Sequence, residues 1–238
     1  MNLSIFIGRE LSDETKNWLR KNNVSFINKP LIKIEFLSPD FVFFDPIKQT
    51  EKNWAITSNQ AAKWFKKHGT EIGLEITDSI FCISQKQAEK LSELSNDIFI
   101  SRHRNANSLA ELVNDKCVGK TVVYLKGDKS LNTLQSEIDI ENIELLETEV
   151  YRNLPVIQKL DTDFDAYLFF SPSGIDSFIE AGNHISESAQ IFTIGHATGN
   201  RAKQQFSNQI IESPIQEEKA FVEFAVKELK LLQPETNH

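Results

Sequence analysis

Short apolar runs and amphipathic stretches alternate along nearly the whole chain, and the hydrophobic period switches between about 2 and about 3.6 as they do. Residues 3–7 and 24–27 read as strands on either side of a helix that Ser12 or Asp13 can cap, with Trp18 and Leu19 turned inward. An extended piece at 31–37 follows Pro30, and residues 38–53, with Pro39, Pro46 and mixed charge, read as a linker or excursion. Strands are then expected at 54–57, 79–83, 98–100, 121–125, 143–151, 166–170, 190–194 and 209–211. Helices fill the intervals at 60–67, 86–94, 108–114, 130–138, 173–181 and 198–206, and a last one covers 217–232. That last helix places Phe221, Phe224, Ala225, Leu229 and Leu232 on one face. The pattern is that of parallel sheets flanked by helices.

A repeat divides these elements. Residues 56–69 align without gaps on residues 169–182, with Ser58 on Ser171, Phe65 on Phe178 and Gly69 on Gly182. Downstream, the strand at 80–83 matches the strand at 191–194. Both copies read strand, serine, helix, glycine stop, strand, a long-period duplication rather than a solenoid. The last third has only three strands and the middle has five. If the N-terminal strand–helix–strand returns to pair with the C-terminal part, each of two similar domains has a five-stranded sheet. Residues 1–35 plus 156–238 then form a discontinuous α/β domain, and 36–155 form a second α/β domain inserted into it. Extended connections at 31–37 and 147–155 cross between them, ending near Pro39 and Pro155. The two copies are expected to face each other across a cleft.

Composition narrows the function classes. The 238 residues carry 26 Lys+Arg against 34 Asp+Glu, a net charge of −8 that argues against nucleic-acid or anionic-membrane partners. Any acidic ligand must therefore be held by local donors. The 17 Phe against 1 Met point to rigid aromatic cores. Cys82 and Cys117 have neither CxxC nor metal-ligand spacing, so they read as small buried residues in a reducing compartment. The N-terminus has no basic signal-peptide region, and no stretch approaches the roughly 20 apolar residues of a membrane span. A cytoplasmic location is expected.

The sequence has no dinucleotide glycine fingerprint, no P-loop, no H-E-x-x-H and no G-x-S-x-G elbow, so a nucleotide cofactor, a metal and a hydrolase triad are all disfavoured. What remains is a set of hydroxyls between strands and the helices that follow: Thr57, Ser58, Ser171, Ser173 and Thr198. In parallel sheets these turns lie where ligands bind, and free N–H groups there attract anions. Each hydroxyl also suits plain N-capping, a role compatible with binding. Arg9, directly after the first strand, is placed to clamp a carboxylate. The Arg102-His103-Arg104 cluster and Lys126 are further candidates, or simply solvated charges. Tyr151 ends a crossing strand, where a phenol can serve as a general acid or merely pack.

Together these residues resemble the uroporphyrinogen-III synthase family. The matching pieces are Ile7-Gly-Arg9, Ile56-Thr-Ser58, Glu149-Val-Tyr151-Arg152, Phe170-Ser-Pro-Ser-Gly174 and Ile194-Gly-His-Ala-Thr198, in register over essentially the whole chain. The resemblance implies two α/β domains joined by a two-stranded β-ladder. It implies a lyase without cofactor or metal that closes hydroxymethylbilane: ring A loses its hydroxyl as water, ring D attacks through its substituted carbon, and a spiro intermediate recloses with ring D inverted. By the same resemblance Tyr151 is the general acid, and Arg9, Thr57, Ser58, Ser171, Ser173, Gly174 and Thr198 bind substrate. It further implies a monomer, with transient contact to the preceding deaminase. The chain departs from the family at Ser84, Gln87, Leu131 and His196-Ala197. A non-catalytic two-lobed ligand binder or sensor of the same fold predicts the same turns without needing Tyr151 or Thr198. A nucleotide-dependent transferase would need a glycine-rich phosphate loop that is not evident.

Overall fold

The computed structural model of the chain describes residues 3–232. The first stretch contains β1 (Ser4–Ile7), α1 (Asp13–Lys21), β2 (Ser25–Asn28), β3 (Ile32–Phe36) and α2 (Phe41–Phe44). The middle contains β4 (Asn53–Ile56), α3 (Asn59–His68), β5 (Ser79–Cys82), α4 (Gln85–Leu91), β6 (Asp97–Ile100), α5 (Ala106–Lys116), β7 (Thr121–Gly127), α6 (Thr133–Glu137) and β8 (Glu144–Pro155). The rest contains β9 (Ala166–Phe169), α7 (Pro172–Glu180), β10 (Gln190–Thr193), α8 (His196–Gln205), β11 (Ile210–Glu212) and α9 (Glu218–Leu232).

The chain divides into two compact units, Met1–Lys33 with Leu154–His238, and Ile34–Asn153. The first carries a five-stranded sheet in the order β11-β10-β9-β1-β2, and the second a six-stranded sheet in the order β3-β8-β7-β4-β5-β6. The inserted unit was expected to have five strands. The sixth is β3, which pairs along the edge of β8: Leu37 N donates to Val150 O (3.0 Å), and Val156 N to Leu31 O (2.9 Å). As β3 advances from Leu31 to Leu37 its partner recedes from Val156 to Val150, so this ladder is antiparallel, whereas β1, β2, β9, β10 and β11 pair in parallel, as do β4, β5, β6, β7 and β8.

Laid side by side, the two sheet orders coincide. β9, β10 and β11 take the places of β4, β5 and β6, and β1 and β2 take those of β7 and β8. The first unit is therefore a permuted copy of the second: its strand pair β1–β2 comes first in the chain rather than last. The central strands β4 and β9 are buried at every position. Helices cover both faces, and burial on both faces erases the alternation a half-exposed strand would show. In the inserted unit, α3 and α4 supply Trp64, Phe65 and Leu91 to one core, while α5 and α6 supply Leu109, Val113 and Leu134 to the other. In the first unit, α7 and α8 cover one face with Phe178 and Ala202, and α1 and α9 the other with Leu19 and Phe221. On α9, Val222 and Val226 complete the buried face, while Leu232, expected to be inside, is 47% exposed.

Residues 38–53, read as a linker from sequence, are structured. Asp40 caps α2 by accepting from Val42 N at 3.0 Å, and Phe44 is buried with its ring centroid 6.1 Å from that of Trp64. One helical turn is too short to show a period, which is why the pattern hid it. Lys52 then buries its whole side chain. Its ammonium donates to the carbonyls of Lys48 (3.2 Å) and Thr50 (3.0 Å) and lies 3.8 Å from Asp78 Oδ2, which also accepts from Trp54 Nε1 (2.9 Å). Removing one member of a buried charged set leaves the others unpaired. Lys52→Ala is expected to destabilise the protein by about 3 kcal/mol, read from denaturant midpoints at constant slope. A loss below about 1 kcal/mol would mean this set is not a structural anchor.

Candidate active site

Doubly wound sheets open a crevice where neighbouring strands send their chains to opposite sides, beyond the strands' carboxyl ends. In the inserted unit that point lies between β4 and β7, and in the first unit between the matching β9 and β1. The hydroxyl turns fall there. Ser58 is the N-cap of α3, its Oγ accepting from Ala61 N at 2.9 Å, and Ser171 is the N-cap of α7, accepting from Gly174 N at 3.1 Å. The duplicated serines thus perform one local task, satisfying a free donor of each helix's first turn. The paired glycines do not. Gly182 has φ +71°, the left-handed region that favours glycine, whereas Gly69 keeps helical angles and is needed for space, since a Cβ there would stand 2.8 Å from Leu74 Cδ2 and from Phe65 O.

Thr57, Ser58 and Tyr151 come together in the inserted unit. The two turn residues point to opposite faces of the sheet: Thr57 Oγ1 is 2.9 Å from the Tyr124 hydroxyl, and Ser58 lies on the side of α3. Tyr151 reaches the Ser58 side through a break in register. Lys126 pairs with Glu149, but the next residue, Gly127, pairs with Tyr151, so Val150 is an extra residue on β8. Such a bulge re-aims side chains. Here it turns the consecutive Val150 and Tyr151 into the same core. The Tyr151 ring packs against Gly127, where a Cβ would stand 2.3 Å from its Cζ. The turn beyond is pinned: Asp128 Oδ1 accepts from the backbone N and the side-chain amide of Asn153, both at 2.9 Å. Burial pushes the Tyr151 phenol above its ordinary range, and the Ser58 hydroxyl beside it pulls the other way. The side chain is 8% exposed and keeps its proton at neutral pH.

In the first unit Ser171, Ser173 and Gly174 form one turn, with the two serine Oγ atoms 3.3 Å apart. Gly174 packs on this cap, its missing Cβ falling 3.3 Å from Ser171 Oγ. Arg9 lies next to them in the sheet order, its guanidinium 5.4 Å from the Phe170 ring centroid. Its Nε is 4.0 Å from Glu218, whose other oxygen is occupied by Ser12 N and Thr15 Oγ1. Arg9 is thus half-exposed and only loosely paired. Thr198 sits one strand over, buried in the first turn of α8, whose N-cap Gly195 has no side chain to offer. His196, where the family pattern differs, has Nδ1 3.1 Å from Glu212 and Nε2 3.1 Å from Asn200. Hydrogen bonds from Lys203 and then His196 hold the Glu212 carboxyl below the usual range.

Two other candidates do not join these groups. Lys126 is paired with Glu147 at 2.9 Å, and Arg102, His103 and Arg104 stand exposed on the turn after the edge strand β6. At α4, Ser84 makes no side-chain cap bond, and Gln87 Oε1 instead accepts from Ile83 N at 3.0 Å. Sequence reasoning did not single out Tyr124, whose hydroxyl bonds Thr57, or Gly127, on which Tyr151 packs. A phenol inside the otherwise aliphatic run of β7 was the available sign of the first. Cys82 and Cys117 are buried, and burial pushes the Cys117 thiol up to about 11. Among the described residues, no group of three or more His, Cys, Asp or Glu is placed to hold a metal ion, and no helix is long and apolar enough to cross a membrane.

Fold and turns together define a class: a duplicated, permuted α/β protein with capped hydroxyl turns at the switch point of each unit. Within that class the chain belongs to the uroporphyrinogen-III synthase family, since the model of that family, described as uroporphyrinogen-III synthase HemD, matches residues 13–223. It is therefore an enzyme of heme biosynthesis with a small-molecule substrate. No curated protein matches the chain. Among solved structures it is similar to a mutant uroporphyrinogen III synthase from the extremely thermophilic bacterium Thermus thermophilus, with 14% identity and TM-score 0.65, covering 97% of this chain and 100% of that one. It is also similar to the uroporphyrinogen-III synthetase of Helicobacter pylori, with 14% identity and TM-score 0.66, covering 95% and 99%. At such identity these likenesses bear on the fold alone.

Proposed function

We propose that this chain is a cofactor-independent carbon–oxygen lyase that converts hydroxymethylbilane to uroporphyrinogen III, with Tyr151 as the general acid. The observation that carries the reading is the Tyr151 phenol: protonated, almost buried, and beside the Ser58 turn at the inserted unit's switch point. The phenol gives its proton to the ring-A hydroxyl as the carbon–oxygen bond breaks, and water leaves. The pyrrole nitrogen supplies the electrons, leaving an azafulvene cation. Its positive charge offsets the cost of a phenolate in this buried place, so the acid becomes stronger only when the leaving group departs. Ring D then attacks through its substituted carbon, and the spiro intermediate fragments and recloses with ring D inverted. The proton lost at final closure restores the phenol.

Each pyrrole of the substrate bears an acetate and a propionate. Thr57 and Ser58 in one unit, and Ser171, Ser173, Gly174 and Thr198 in the other, offer hydroxyl and backbone N–H donors to these carboxylates, and Arg9 adds one exposed cation. Local donors of this kind hold an anionic substrate on a chain whose net charge is −8. Orientation of a flexible chain supplies much of the rate. The enzyme works as a monomer in the cytoplasm and receives its unstable substrate through transient contact with the deaminase. Purified protein added to freshly generated hydroxymethylbilane is expected to speed its disappearance well beyond spontaneous closure. Saturable binding without acceleration would instead identify a non-catalytic binder.

A further inference from the structure

Thr57 has a partner that the reaction as described does not use. Tyr124 lies on β7 with its ring among Leu109, Val113 and Leu134, and only 2% of it is exposed. The register pairs Ala55 with Tyr124, so Thr57, two residues on, shares its face of the sheet. The two hydroxyl oxygens are 2.9 Å apart. A threonine hydroxyl has one proton and two lone pairs, so its direction decides what it does for a ligand. A phenolic O–H is in general a better hydrogen-bond donor than an alkyl hydroxyl, because the ring draws charge from its oxygen. When Tyr124 donates, Thr57 Oγ1 accepts, and its own proton is released for an acceptor outside the chain. A carboxylate taking that proton polarises Thr57 and strengthens the Tyr124 bond in turn.

We propose that Tyr124 is a positioning residue for substrate binding: its buried phenol orients the Thr57 hydroxyl as a donor to a substrate carboxylate. This rests on the synthase reading and on Thr57 belonging to the substrate site. The opposite orientation, Thr57 donating to Tyr124, carries the opposite sign, because removing the phenol would then free Thr57 for the substrate and lower KM.

The test is a cycle of KM and kcat for hydroxymethylbilane in the wild type, Tyr124→Phe, Thr57→Val and the double variant, with Thr57→Ser as the conservative control. Tyr124→Phe keeps the ring and is expected to raise KM about three- to tenfold, the range for one hydrogen bond, with kcat within about twofold. Thr57→Val should raise KM at least as much, Thr57→Ser should stay near the wild type, and Tyr124→Phe should add nothing to Thr57→Val. A purely structural phenol would move the melting temperature but leave KM in place. Unchanged or lowered KM in Tyr124→Phe overturns the proposal, as does a full further rise in the double variant. Should Thr57→Val fail to fold, the sign of the Tyr124→Phe effect alone decides. Failure of the underlying reading looks different: no turnover in the wild type removes the synthase assignment, and wild-type KM in a folded Thr57→Val removes Thr57 from the site.

Discussion

Tyr151→Phe is expected to lower kcat about a hundredfold or more while KM changes less than about threefold, because the variant keeps the ring that packs on Gly127 and loses only the proton. Spontaneous closure sets the floor below which the loss cannot be read. The pH dependence carries a sign. Burial raises the phenol's pKa in the folded protein, so the proton is present throughout the neutral range and up to the ordinary tyrosine range. The activity limb due to this group therefore falls only at alkaline pH, above that range, and Tyr151→Phe should remove it. Stability follows the same sign: the contribution of the raised group is intact below the unfolded pKa and is lost as pH rises through the folded one. Wild-type kcat in Tyr151→Phe would assign the proton to another group, including a carboxyl of the substrate.

Gly127→Ala is expected to cost nearly as much activity without removing any reacting atom. The new Cβ would stand 2.3 Å from Tyr151 Cζ, 2.6 Å from Cε2 and 2.7 Å from the hydroxyl oxygen. Ring atoms next to a strand cannot yield as the tip of a lysine can, so the phenol must leave its place beside Ser58. We expect kcat to drop by a factor of about ten to a hundred, with about 1–3 kcal/mol of lost stability from overpacking. Because both substitutions act on one phenol, Gly127→Ala in the Tyr151→Phe background should add much less loss of kcat than it causes alone. A folded Gly127→Ala protein with full activity would show that the observed placement of Tyr151 is not the working one.

Much of this arrangement is legible in the residues themselves. The apolar runs of β4, β5, β9 and β10 are continuous because helices cover both faces, and the serine after β4 aligns with the serine after β9 because each caps the next helix. The proposal that these turns carry the chemistry rests on the absence of nucleotide, metal and hydrolase motifs elsewhere in the sequence. Three features were not legible, each for a physical reason. The turn α2 is too short to show a helical period, and the burial of Lys52 depends on carbonyls that only the folded loop brings to it. The bulge at Val150 breaks the two-residue rule on which a strand reading relies, so nothing in the sequence says that Val150 and Tyr151 share a face. The antiparallel pairing of β3 on β8 is the two-stranded ladder that the family resemblance implies, and only the strand count of the inserted sheet, six instead of five, differs from expectation.

Hydroxymethylbilane closes by itself to the type I isomer, so the identity of the product separates catalysis with ring inversion from mere acceleration or binding. The most direct measurement generates hydroxymethylbilane with its deaminase in the presence of this protein, oxidises the products to porphyrins and separates the isomers chromatographically. The proposed mechanism predicts that type III dominates and that its share falls toward the spontaneous background when Tyr151 is replaced by phenylalanine. Type I alone, at any protein concentration, would contradict it.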